Sequence, residues 1–126
     1  MVWIGVAVGG AAGAVARYGL SQWVAARAPG GFPWGTLAIN LTGAFLLAFL
    51  HPLLLNTVTS PALRLALTSG FVGAYTTFST MTWEALTLLQ EGRPGAAAAY
   101  LGASLVLGMG AAWLGWGTGQ GFGMRP

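Results

Sequence analysis

Cysteine is absent from this chain of 126 residues, and so is lysine. Without thiols there is no disulfide, no cysteine nucleophile and no thiolate metal site. Charge is scarce as well. Five arginines and two glutamates make up 6% of the sequence, against about 25% in a soluble domain. So few charges cannot keep a chain that is 56% hydrophobic in water. The sequence pI of about 10.2 reflects the shortage of acids. The arginines form no cluster, so no nucleic-acid partner is expected. There is also no phosphate loop, no metal-ligand spacing, and no nucleophile motif around the single histidine, His51. Enzyme chemistry is therefore not expected.

What the chain does have is long apolar runs. Crossing the hydrocarbon layer takes roughly 20 such residues. Four segments qualify, at about 2–26, 34–55, 62–89 and 96–116. The fold expected is an all-α integral membrane protein, with one domain of four transmembrane helices. Its loops are the glycine- and proline-rich stretch 29–33, the polar turn 56–61 and the turn 90–95. Such short connections make neighbouring helices antiparallel. The N-terminus lacks the positive region of a signal peptide and reads as a retained helix. The tail 117–126 is glycine-rich and is expected to fray. The third segment is long for one span, which allows tilt or a local break. Trp3, Trp23, Trp34, Trp83, Trp113 and Trp116 mostly lie near segment ends, as an aromatic belt at the lipid interface requires.

Orientation is weakly specified. One side of the membrane carries Arg64 and Arg125. The other carries Arg27 and Arg93, with Arg17 in reach of it. So slight a positive-inside bias leads to the expectation of dual topology and an antiparallel homodimer. Gly5, Gly9 and Gly13 make one smooth face on the first helix. A face of this kind serves either packing within one subunit or contact between two.

Polar residues at membrane depth mark the candidate sites. Residues 70–82 hold two glycines and five serine or threonine side chains, and both features weaken a helix. In lipid, non-helical backbone survives only when buried in protein or lining a wet cavity. Freed carbonyls there suit a cation, and hydroxyls or N–H groups suit an anion. The alternative is an unbroken helix whose hydroxyls bond back to i−4 carbonyls. Asn40 is costly in hydrocarbon without a partner. It serves either as a helix–helix hydrogen bond or as an anion donor, with Thr36 on the same face. Tyr100 and Ser104, four apart, make a polar rail or are satisfied locally. Arg17 and Glu84 are ionisable groups in or near spans and are site candidates by default. Arg17 either draws anions into a vestibule or snorkels to the headgroups. His51, beside Pro52, reads as an interface residue.

Three blocks, 10–18, 35–43 and 70–84, resemble the CrcB/Fluc fluoride channels. The resemblance covers essentially the whole chain. Thr76-Thr77-Phe78-Ser79-Thr80 followed by Glu84 is its most specific part. It implies a passive, fluoride-selective channel that exports cytoplasmic fluoride across a prokaryotic-type inner membrane as a multi-pass protein. It implies an antiparallel dimer with two pores at the subunit interface. It also implies a central structural Na⁺, held by backbone carbonyls that motif position assigns to Gly73 and Thr76. Asn40 matches the pore asparagine and Phe78 the first of two pore phenylalanines. Tyr100 and Ser104 fall where the fourth helix contributes. Thr36, Ser79 and Thr80 are implied as supporting polar groups, and Arg17 matches the arginine ending the first helix. The sequence departs from the pattern at Met81, where the second pore phenylalanine falls.

Two other readings compete. A proton-coupled exporter of cationic drugs wants an acid inside its first helix, and none is present. An assembly protein using the Gly5/Gly9/Gly13 face leaves Asn40 and the hydroxyl run unexplained.

Overall fold

The computed structural model describes residues 1–123; residues 124–126, with Arg125 from the charge count, lie outside them. Among the described residues the regular structure is helical. The first segment is α1, Val2–Arg27, which ends at a loop where Gly30 and Gly31 take positive φ of 116° and 72°. The second is α2, Trp34–Thr57, which contains Pro52. The fourth is α6, Pro94–Gly123, begun by a proline just past Gly92 at φ 73°. These three are long and apolar enough to cross a membrane.

The third segment is built in pieces. Pro61–Leu65 (α3) follows Ser60, whose hydroxyl accepts the Leu63 N–H at 3.3 Å. Ala66–Val72 has π-helical winding, and Gly73–Tyr75 (α4) follows. Thr76 (φ −86°, ψ 157°) and Thr77 (φ −149°, ψ 110°) are extended. Phe78–Gln90 (α5) then restarts the helix, with the Thr77 hydroxyl accepting the Thr80 N–H at 3.2 Å. No single piece exceeds 13 residues, so the segment expected as one span is not one by helix length.

Glycine explains how the segments meet. A Cβ on Gly9 or Gly13 would collide with the carbonyl oxygens of Ala66 or Phe71. The Gly5/Gly9/Gly13 face therefore packs within the chain, on the third segment. The contacts advance together along both partners, so α1 and the early third segment run parallel. Gly115 and Gly119 do the same against Phe45 and Phe49, and Gly123 lies against Asn56. This makes α2 and α6 a second parallel pair. It also corrects the expectation of a frayed tail. Read as a stripe at every fourth position, Gly115, Gly119 and Gly123 let α6 lie close on α2, and the helix continues to Gly123.

Leu37, Ala85, Leu88, Ala97 and Tyr100 form a buried cluster that joins α2, α5 and α6, with Phe32 and Met81 packed against it. All the tryptophans are exposed, as lipid-facing anchors are.

Candidate functional site

The extended residues Thr76 and Thr77 are held by the neighbouring helix. Asn40, on α2, accepts the Thr77 N–H through Oδ1 at 2.8 Å and donates from Nδ2 to the Thr77 carbonyl at 3.1 Å. Both backbone groups that leave the helix at Thr77 are thus satisfied by one side chain, as low-dielectric surroundings demand. The Thr77 hydroxyl donates to Thr80 Oγ1 at 3.0 Å while accepting the Thr80 N–H. The N–H groups of Thr77 and Thr80 are the ones a continuous helix would send to the carbonyls of Gly73 and Thr76. Here they go to Asn40 and to the Thr77 side chain. Those two carbonyls therefore lose their usual donors. Thr76 also sends its N–H and its hydroxyl to the Val72 carbonyl, each at 3.1 Å.

A cavity of about 410 Å³ opens beside this point. Asn40, Thr76, Thr77, Phe78, Met81 and Ser104 line it, with apolar walls from Ala44, Leu101 and Leu105. Asn40 has two N–H bonds and uses one on Thr77. Phe78 is 75% exposed, so its own chain leaves the ring uncovered. The Ser104 hydroxyl donates to the Tyr100 carbonyl at 2.7 Å, which leaves it lone pairs toward the cavity.

A second assembly lies one helical turn away. Glu84, on α5, accepts the Thr36 O–H through Oε1 at 2.6 Å and the Tyr100 O–H through Oε2 at 3.2 Å. Thr36 is 6% exposed and Tyr100 fully buried. One carboxylate thus satisfies two buried hydroxyls from two other helices. Glu84, Thr36, Thr80 and Arg17 line a cavity of about 740 Å³ under the 28–33 loop. The Arg17 Nε is buried and has no hydrogen-bond partner among the described residues.

The structure therefore divides the residues singled out from sequence. Asn40, Thr76, Phe78, Met81 and Ser104 share one cavity, and Arg17, Thr36, Thr80 and Glu84 share the other. Tyr100 is fully buried, and its hydroxyl donates to Glu84. Ser79 is exposed, with Oγ 3.4 Å from that of Thr77. Gly73 is exposed beyond the Asn40 cavity. Thr77 is the member that the sequence reading gave no role. Its signal was an N-cap threonine with a polar residue three positions on.

Among known proteins, the family model for the CrcB-like protein, Camphor Resistance (CrcB), matches residues 4–116. The fluoride-specific ion channel FluC of Acidobacterium capsulatum is 49% identical over 91% of this chain and 93% of its own length. The fluoride-specific ion channel FluC 2 of Geobacillus kaustophilus is 47% identical over 95% and 94%. A FluC 2 of Moorella thermoacetica is 50% identical over 92% and 94%.

Proposed function

Because the chain belongs to the CrcB family of fluoride channels, not enzymes, we propose that it is a fluoride-selective channel for passive export of cytoplasmic fluoride across the cell's inner membrane. The observation that carries this reading is the anchored Asn40 amide. One of its N–H bonds is fixed on Thr77 and the other is left for an anion in the cavity it shares with Phe78. Fluoride is small and strongly hydrated, so its water is replaced only by close, pre-positioned donors. The second Asn40 N–H is such a donor. The edge of the Phe78 ring, the electropositive part of an aromatic, is another. Met81 contributes a polarizable apolar wall. The site binds weakly enough to release as well as to accept, as conduction requires.

One chain leaves Phe78 uncovered. An antiparallel homodimer closes the wall and gives two equivalent pathways, one for each cavity. The Gly73 and Thr76 carbonyls supply the hard oxygen ligands that suit Na⁺, a hard cation like those bound by carbonyl and carboxylate oxygens. Two from each chain make a shared set at the twofold axis. Bound there, Na⁺ adds fixed positive charge beside the anion path and ties the two chains together. Arg17 and Glu84 stand at the wide mouth, where the arginine attracts anions and the glutamate holds Thr36 and Tyr100 in place.

The test is fluoride-electrode efflux from liposomes carrying the purified chain, with chloride as the control anion. Fluoride efflux without chloride efflux supports the reading. Proton flux dependent on a cationic drug, or no flux of any kind, overturns it.

A further inference from the structure

The end of the bundle opposite the 28–33 loop has a cavity that conduction does not use. It measures about 310 Å³ and lies between the last turns of α2 and the start of the third segment. His51, Leu54, Leu55, Arg64, Leu65 and Thr68 line most of it, and no acidic residue does. Only the backbone of Arg64 is engaged, its carbonyl accepting the Thr68 hydroxyl at 2.8 Å. Among the described residues neither the Arg64 guanidinium nor the His51 imidazole has a hydrogen-bond or ion-pair partner. His51 lies six residues before the end of α2, and Arg64 three after the start of α3. At 1.5 Å of rise per residue, both sit roughly 5–9 Å in from the helix ends, near the depth of lipid headgroups.

We propose that this groove binds one anionic phospholipid, with its phosphate between Arg64 and His51 and an acyl chain along Leu54, Leu55 and Leu65. The occupant follows from the division of the groove. Guanidinium pairs with phosphate through parallel charge-assisted hydrogen bonds, and an imidazole N–H adds a third donor. Free phosphate would leave the leucine wall empty, and a purely apolar ligand would leave both basic groups unused. A zwitterionic headgroup brings its own cation toward Arg64 and loses the charge match. This inference does not depend on fluoride conduction. In an antiparallel pair it would place one such lipid in each leaflet.

Native mass spectrometry of the full chain in detergent, with equal amounts of dioleoyl phosphatidylglycerol and dioleoyl phosphatidylcholine, tests it. The expected result is retention of phosphatidylglycerol over phosphatidylcholine by about fivefold, the ratio given by roughly one arginine's attraction to an anionic surface. Arg64→Gln brings the ratio near one, Arg64→Lys keeps most of it, and His51→Gln lowers it partway. Arg93→Gln, at the other end, leaves it unchanged. Retention of the wild-type ratio in Arg64→Gln overturns the proposal. So does displacement of the lipid by inorganic phosphate, which would make this an ion site. A ratio that changes only because the oligomer falls apart in Arg64→Gln assigns the groove to chain–chain contact and overturns it too.

Discussion

Asn40 grips Thr77 by both of its backbone polar groups, at 2.8 Å through Oδ1 and 3.1 Å through Nδ2. One side chain on α2 thereby makes two residues of extended backbone tolerable at membrane depth. The same amide reaches the cavity beside Phe78. Structural support and the proposed anion contact fall to one group, and substitutions can separate them.

Asn40→Asp keeps the acceptor for the Thr77 N–H but sets a carboxylate against the Thr77 carbonyl and in the proposed anion path. Fluoride efflux from liposomes is expected to fall below detection. Asn40→Ala leaves the Thr77 N–H and C=O unpaired, at about 1–3 kcal/mol for each buried group. Its melting temperature in detergent is expected to drop by several degrees. Normal efflux in the aspartate variant would remove Asn40 from the pathway.

Glu84 joins three helices through the hydroxyls of Thr36 and Tyr100. Tyr100→Phe removes one donor and is expected to cost about 0.5–1.5 kcal/mol. Glu84→Leu leaves both buried hydroxyls without their acceptor and is expected to cost more than Tyr100→Phe. With Tyr100→Phe already present, Glu84→Leu is expected to cost less than it does alone. Strictly additive losses in thermal melts would contradict a shared carboxylate.

The glycines divide into two groups with opposite expected signs. Gly9→Ala and Gly115→Ala drive a Cβ into a neighbouring carbonyl and are expected to destabilise by about 1–3 kcal/mol. Gly102 has nothing within 4 Å of where its Cβ would stand. Gly102→Ala is expected to be neutral, or stabilising by up to about 1 kcal/mol. Parallel melting curves of the three variants check the sign.

Met81 packs against the buried cluster and lines the Asn40 cavity. It fills space but offers no ring edge. The wild type is expected to conduct fluoride, and Met81→Phe is expected to conduct faster. A silent wild type rescued by Met81→Phe would show that the thioether wall cannot support passage.

The three long helices are legible because hydrocarbon thickness leaves a plain mark, an apolar run of about the right length, interrupted in α1 by Arg17. The weak point at 70–82 was legible from its glycines and threonines, since each lowers helix stability through its own backbone or χ1 restriction. What holds that point was not. The Asn40–Thr77 bond joins residues 37 apart in sequence, and periodicity along one helix does not name a partner on another. The end of α6 is not legible in the sequence for a similar reason. Among the described residues Gly117 and Gly121 have no neighbour that needs them to be small, and they hide the stripe at Gly115, Gly119 and Gly123. Only the opposing Phe45 and Phe49 carbonyls reveal its purpose.

The parallel pairing of α1 with the third segment also sets an order of events during synthesis. Gly9 waits for Ala66, and Gly13 for Phe71, each roughly 60 residues further along the chain. At about 5–20 residues per second, the first helix spends roughly 3–12 s in the bilayer before its mate emerges. During that interval its glycine groove is filled by lipid tails alone. The hairpin of α1 and α2 must therefore persist on hydrophobicity and its Ser21–Gly35 crossing. The groove becomes a binding surface only when the ribosome has delivered the piece that fits it.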